Sequence, residues 1–164
     1  MAVTENNLQE AFAGESQANR KYLAFAKQAD RDGYPQVARL FRAAAAAETI
    51  HAHAHLRAMK GVGSTAENLQ AAISGETHEF EQMYPGMIAA AEAEGHKAAV
   101  RSFSYANAVE KTHAALYRQA LAHLEEKEEY AYYVCSVCGH THEREAPDVC
   151  PVCGAKRGAF EKCE

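Results

Sequence analysis

The sequence predicts an all-α four-helix bundle followed by a small, metal-bound β/loop domain. Three observations predict it. Apolar residues recur at helical spacing through the first part of the chain and lose that period from Tyr130 onward. A pattern repeats between residues 33–48 and 95–110, so the helices come as two matched hairpins. Two Cys-x-x-Cys pairs, Cys135-Ser-Val-Cys138 and Cys150-Pro-Val-Cys153, then close the chain, each followed by glycine. The expected domains are residues 1–127 and 128–164.

The elements follow in order. Leu8, Phe12, Tyr22, Phe25 and Ala29 mark a first helix over 5–31, with Thr4 as its N-cap and Gly33 as its stop. Pro35 suits the first turn of a second helix, which runs to about Lys60. Its inner stripe holds Val37, Phe41, Ala44, Ala58 and Met59, and Gly61-Val62-Gly63 breaks it. Ser64 with Glu67 reads as a capping box that opens a third helix to Glu94, with Pro85 as a kink or local break. Gly95 separates a fourth helix, 96–127, and Glu125-Glu126-Lys127-Glu128-Glu129 is a charged, solvated hinge.

Composition narrows the function classes. A chain of 164 residues, 48% hydrophobic, supports one sizeable core plus an appendage. The net charge of −5 argues against a nucleic-acid surface. No apolar run approaches the ~20 residues of a membrane span. The start, Met-Ala-Val-Thr-Glu-Asn-Asn, has neither a basic segment nor an apolar one, so no leader peptide is expected. Four of the five cysteines have metal spacing, which fits a reducing cytoplasm, and Cys163 is left over. The four thiolates make a tetrahedral site that accepts zinc, as a staple, or iron, as a one-electron relay.

The repeat carries Glu48-Thr-Ile-His51 and Glu110-Lys-Thr-His113 at equivalent places. On a helix, i and i+3 share a face, so each pair can grip one metal. The motif alone is weak, because 19 Glu and 9 His in this chain yield about one Glu-x-x-His by chance. Placement strengthens it. Glu48 and His51 continue the stripe Val37–Phe41–Ala44, and Glu110 and His113 continue Val100–Phe103–Asn107 toward Tyr117. Glu15 falls between Phe12 and Tyr22, and Glu76 and Glu79 follow Leu69 and Ile73. All four helices thus turn carboxylate toward the core. A buried carboxylate without a partner costs on the order of several kcal/mol, so five of them ask for cations. Five carboxylates and two imidazoles match a dinuclear, oxygen-rich site. His55, His140 and His142 read as packed or loop histidines, and Tyr22 and Tyr84 as core aromatics.

A carboxylate–histidine bundle followed by paired Cys-x-x-Cys motifs resembles the rubrerythrins. The pieces that carry the resemblance are Phe12-Ala-Gly-Glu-Ser-Gln-Ala18, Glu48-Thr-Ile-His51, Gly75-Glu-Thr-His-Glu79, Met83-Tyr-Pro85, Glu110-Lys-Thr-His113 and both cysteine pairs. The resemblance implies a ferritin-like di-iron domain and a rubredoxin-like domain with one iron on four cysteines. It thus implies two iron ions in the bundle and one on Cys135, Cys138, Cys150 and Cys153, with zinc possible by substitution. It implies that Glu48 and Glu110 bridge the irons and that Glu15 is a terminal ligand of the first. Glu79 and His51 would alternate on that iron with oxidation state, and Glu76 and His113 would complete the second. It moves Tyr22 and Tyr84 from core to function. The implied activity is a peroxidase that reduces hydrogen peroxide to water. Its electrons would pass through the four-cysteine iron from an external reductase or rubredoxin, and ultimately from NAD(P)H. The charged hinge makes transfer across a dimer interface plausible.

Residues 61–75 depart from a simple bundle. They must join ends on the order of 30 Å apart for a ~20-residue helix, yet Ala66–Ile73 is itself helical. A homodimer that exchanges a hairpin relieves this. Two rivals remain: a ferroxidase or iron-storage protein on the same bundle, and a non-enzymatic helical protein with a structural zinc ribbon.

Overall fold

The computed structural model of the chain describes residues 3–163. Met1, Ala2 and Glu164 lie outside that range, and with them the start of the segment read for a leader peptide. The chain divides into two compact units, Met1–Gly63 and Ser64–Glu164, cut at the Gly61-Val62-Gly63 break.

The first unit is a hairpin of α1 (Val3–Arg31) and α2 (Pro35–Ala58). Thr4 lies inside α1 rather than capping it, because Val3 is already helical. The turn is a Schellman closure: Tyr34 N–H donates to Ala29 C=O at 2.8 Å, Gly33 N–H donates to Asp30 C=O at 3.2 Å, and Gly33 has φ +80°. The face that α2 buries is Ala38, Ala45 and Ala52, against Asn19, Ala26 and Ala29 of α1. Small residues every seven positions let the two backbones approach, and Asn19 Nδ2 spans the seam to Ala45 C=O at 2.7 Å and Thr49 Oγ1 at 2.8 Å. This shifts the expected inner stripe by one residue. Val37 and Phe25 are 44% and 45% exposed in this unit. Helix α2 ends at Ala58, with Lys60 left-handed at φ 55°.

The second unit begins with α3 (Thr65–His78), whose capping box forms as expected: Glu67 N–H reaches Ser64 Oγ, and Ser64 N–H donates to Glu67 Oε2. The kink or local break expected at Pro85 takes the form of a π-helical turn. A π-helical turn, Glu79–Met83, separates α3 from α4 (Tyr84–Ala93). Pro85 has no N–H to donate to the preceding turn, and its ring crowds the carbonyl four residues back. Widening the turn accommodates both, and Tyr84 N–H bonds to Glu79 C=O. The Schellman closure recurs at Gly95 (φ +70°), where His96 N–H donates to Ala91 C=O and Gly95 N–H to Glu92 C=O. Helix α5 runs Lys97–Ala122 and so ends five residues before the expected Lys127. His123 and Glu126 bond to each other at 2.7 Å across the turn that follows.

The cysteine region is a three-stranded antiparallel sheet in the order β2-β1-β3, with β1 Tyr132–Cys135, β2 Thr141–Glu143 and β3 Phe160–Cys163. A 3-10 turn, Arg157–Ala159, leads into β3. Arg144 stacks over the Tyr130 ring at 4.5 Å and pairs with Glu128, which ties the charged segment to the sheet.

Candidate metal centres

The two Cys-x-x-Cys pairs form the same turn twice. Gly139 N–H bonds to Cys135 C=O at 2.8 Å, and Gly154 N–H bonds to Cys150 C=O at 3.0 Å. Both glycines have positive φ, so each turn can close behind its second cysteine. The four sulfurs converge, with Cys135 and Cys153 Sγ 3.7 Å apart and Cys138 and Cys150 Sγ 3.5 Å apart. A tetrahedron with metal–sulfur bonds of ~2.3 Å has edges of about 3.8 Å, so the set fits one tetrahedral ion. Cys135 and Cys150 are buried. Burial pushes the Cys138 thiol up, whereas at Cys150 it is outweighed by the Cys153 and Val152 N–H groups and the neighbouring thiols, which bring Cys150 down to about 7. An incoming ion displaces the remaining protons.

The helices hold two further donor sets of one design. In the first unit, Glu15, Glu48 and His51 bring their ligand atoms together, with His51 Nδ1 2.9 Å from Glu48 Oε2 and 3.9 Å from Glu15 Oε1. In the second unit, Glu76, Glu110 and His113 do the same, with His113 Nδ1 2.8 Å from Glu110 Oε2 and 3.9 Å from Glu76 Oε1. Two carboxylates and an imidazole suit a divalent ion such as iron, manganese or zinc. The carboxylates are half-buried rather than fully buried: Glu48 and Glu110 are 18% and 17% exposed.

The second set carries a marked electrostatic load. Burial, then the Glu110 charge and a hydrogen bond with Glu110, push Glu76 up to about 7. Burial and the Glu79 charge raise Glu110 as well, against the pull of the Glu76 hydrogen bond. The two carboxyls therefore share a proton when no cation is present. Glu79 stands close enough to raise both, and burial together with Glu79, Glu110 and Glu76 raises the Tyr84 phenol. The π-turn explains this grouping. It takes up one extra residue, so Tyr84 lies nearly two regular turns beyond Glu76 and falls on the same face. Tyr22 keeps aromatic company in the first unit, 6.3 Å from Phe25 and 6.1 Å from Phe41.

Two further residues neighbour the second set: Tyr117, which the helical stripe through Glu110 and His113 reaches, and Thr141, which no spacing indicates. Tyr117, one turn beyond His113 with ring centroids 6.5 Å apart, is raised by burial and by Glu76 and Glu110. Thr141 Oγ1 lies 2.9 Å from His113 Nε2, and nothing in the sequence pairs β2 with α5. The cysteine domain thus touches a helix of its own chain despite the charged hinge.

Known proteins share this plan. A profile of the rubrerythrin family matches residues 6–121, and a profile of the rubrerythrin rubredoxin-like domain matches residues 133–161. The chain is 37% identical to rubrerythrin-2 of Clostridium acetobutylicum, over 98% of this chain and 96% of that one. It is 36% identical to nigerythrin of Nitratidesulfovibrio vulgaris, over 96% of this chain and 85% of that one. Among solved structures, nigerythrin in a mixed-valence state aligns with 99% of this chain and 88% of its own, at TM-score 0.60 and 35% identity. Fully reduced, all-ferrous nigerythrin aligns over the same shares at TM-score 0.61 and 34% identity. With both parts matched, and relatives more than a third identical along nearly its full length, this chain of ferritin-like helices and a rubredoxin-like four-cysteine domain belongs to the rubrerythrin family.

Proposed function

We propose that this chain is a peroxidase that reduces hydrogen peroxide to water at a di-iron carboxylate site and draws its electrons through an iron bound by Cys135, Cys138, Cys150 and Cys153. One observation carries this: a single chain holds two equivalent carboxylate–imidazole sets and a tetrahedral four-sulfur set. Rubrerythrin-family proteins are oxidoreductases with a non-haem di-iron site and an iron-bearing site of four cysteines, are generally homodimeric, and use rubredoxin or reductase electron donors. The solved nigerythrin states, mixed-valence and all-ferrous, support redox cycling of that relative's iron.

In this proposal Glu15, Glu48, His51, Glu76, Glu79, Glu110 and His113 hold the two ions. Glu48 and Glu110 would each serve both ions, and Glu79 and His51 would be alternative ligands of the ion that Glu15 holds. Bound iron supplies the electrons and Lewis acidity for peroxide reduction. The protein supplies the rest. Tyr84, whose phenol is kept protonated by burial and by three carboxylates, donates a hydrogen bond to a substrate oxygen. Tyr22 does the same from the first unit. The carboxyl pair Glu76 and Glu110 releases its shared proton as the site fills.

The assembly proposed is a homodimer that exchanges α1–α2 hairpins. Helix α3 is continuous from Thr65, so only residues 59–64 join α2 to α3. Those residues span no more than about 20 Å when extended, short of the ~30 Å that a crossover along a 20-residue helix requires. The physiological donor is an NAD(P)H-linked reductase or a rubredoxin, and the setting is the cytoplasm. Among the described residues no helix is long and apolar enough to cross a membrane.

Metal analysis with a visible spectrum, taken before and after peroxide is added to the reduced protein, tests this. A red colour that bleaches on reduction and returns with peroxide supports the peroxidase. Iron accumulated as mineral, without this return, supports the ferroxidase. Zinc alone in colourless protein refutes both.

A further inference from the structure

A groove of about 220 Å3 lies in the seam of the α1–α2 hairpin. Ser16 and Asn19 of α1 and Glu48 and Thr49 of α2 line it, with Phe12 and Leu56 as apolar walls. Ala52 is buried beside them and contributes only a methyl group, which leaves the space open. A water's share of liquid volume is about 30 Å3, so several fit. Glu48 belongs both to this wall and to the ligand set with Glu15 and His51.

The wall presents acceptors and keeps its donors for the hairpin. Ser16 Oγ–H donates to Phe12 C=O at 2.6 Å, and Thr49 Oγ1–H donates to Ala45 C=O at 3.1 Å. Asn19 Nδ2 directs its two hydrogens to Ala45 C=O at 2.7 Å and Thr49 Oγ1 at 2.8 Å. What remains for a guest is the Asn19 carbonyl, the hydroxyl lone pairs and the Glu48 carboxylate. Asn19 is 7% exposed, and among the described residues nothing donates to its Oδ1. A buried acceptor without a partner is costly, so this carbonyl calls for a donor that the hairpin does not supply. Arg20 and His53 also line the groove, but both are exposed, and solvent weakens any pull they exert on an anion. Beside Asn19 an anion would meet lone pairs and a carboxylate. Water and hydrogen peroxide suit the wall, because both are small, neutral and carry two O–H donors.

We propose that this groove binds small neutral O–H donors, water and hydrogen peroxide, on Asn19 Oδ1, and that it admits them along the hairpin seam to Glu48. The role of peroxide rests on the peroxidase reading; the site itself rests on the groove and the unpaired carbonyl.

Crystals of full-length, oxidised, iron-loaded protein, with and without a peroxide soak, test the site. The unsoaked crystal should show an ordered oxygen within about 3.2 Å of Asn19 Oδ1, and the soak should lengthen it into a two-atom feature. A groove without ordered density at Asn19 in both crystals overturns the proposal. A single oxygen that the soak leaves unchanged supports the water site and overturns the binding of peroxide. Entry is tested with Ser16→Leu, which fills the groove from α1, and Ser16→Ala, which keeps it open. In reduced Ser16→Leu, helix-bound iron should re-oxidise about 10-fold more slowly at low peroxide and reach the wild-type rate at saturation. Ser16→Ala should match wild type throughout. Wild-type rates in Ser16→Leu at every peroxide concentration overturn the entry route. If Ser16→Leu loses helix content or iron, Ser16→Met replaces it in the same measurements. If peroxide does not re-oxidise the wild-type protein, the peroxidase reading fails, and the unsoaked crystal alone then decides whether the groove is a water site.

Discussion

His113 Nδ1 stands 2.8 Å from Glu110 Oε2, one turn along the same helix, and its repeat counterpart His51 Nδ1 stands 2.9 Å from Glu48 Oε2. The two halves of the helical region therefore present one ligand geometry twice. Their surroundings differ. The second set has Glu79, Tyr84, Tyr117 and Thr141 beside it, and that asymmetry allows separate tests of its parts.

Glu79 is carried on the π-turn beside Glu76 and Glu110. Replacing it with Ala should lower peroxide turnover by about 10-fold or more, the scale of losing a positioned acid–base group or ligand support. The colour of the cysteine centre should stay intact. Turnover equal to wild type, followed by peroxide consumption, would remove Glu79 from the mechanism.

The raised carboxyl at Glu76 has a pH signature. Its pKa is raised to about 7 in the folded state, above the ordinary carboxylate value near 4.5. Between those values the folded chain binds more protons than the unfolded one, so stability falls as pH rises through that window. Protein stripped of helix-bound metal, with the cysteine ion retained, should show a Tm that declines from about pH 4.5 to 7. Glu76→Gln should flatten this slope. Divalent metal should raise Tm most near pH 7, where it replaces the shared proton. A flat Tm profile in the stripped wild type would contradict the proton sharing.

Gly33 and Gly95 close equivalent Schellman turns at φ +80° and +70°. Alanine at either position should destabilise the protein by about 1 kcal/mol, because a Cβ is strained in the left-handed region. Lys60 occupies the same region at φ 55°, so Lys60→Gly should stabilise by about 0.5–1 kcal/mol. Chemical denaturation of the iron-loaded protein reads all three, and opposite signs at these positions would refute the turn assignments.

The exchanged-hairpin assembly predicts a dimer in dilute buffer, with sedimentation giving about twice the chain mass of 17.9 kDa. It also predicts that Leu40→Glu, which places a charge on an apolar residue 67% exposed in its own unit, weakens association. A monomeric wild type that still carries helix-bound iron would rule the exchange out.

Much of this protein was legible along the chain. Helix-stop glycines, the Ser64–Glu67 box, the paired Glu-x-x-His motifs and the Cys-x-x-Cys turns depend on residues a few positions apart, where backbone geometry translates spacing directly into proximity. Those local rules determined most of the helix boundaries, the Glu48–His51 and Glu110–His113 pairs, and the two cysteine turns. Tertiary packing decided the remainder. Alanine, not the larger apolar residues, lines the α1–α2 seam, because close backbone approach selects small side chains. The π-turn at Glu79–Met83 resets the helix phase by one residue and brings Tyr84 to the carboxylates, a change that no fixed helical period describes. The contact between Thr141 and His113 joins residues 28 apart and depends on how a strand of the small domain meets α5. Spacing cannot encode that contact, because it arises from three-dimensional fit rather than from the geometry of one helix.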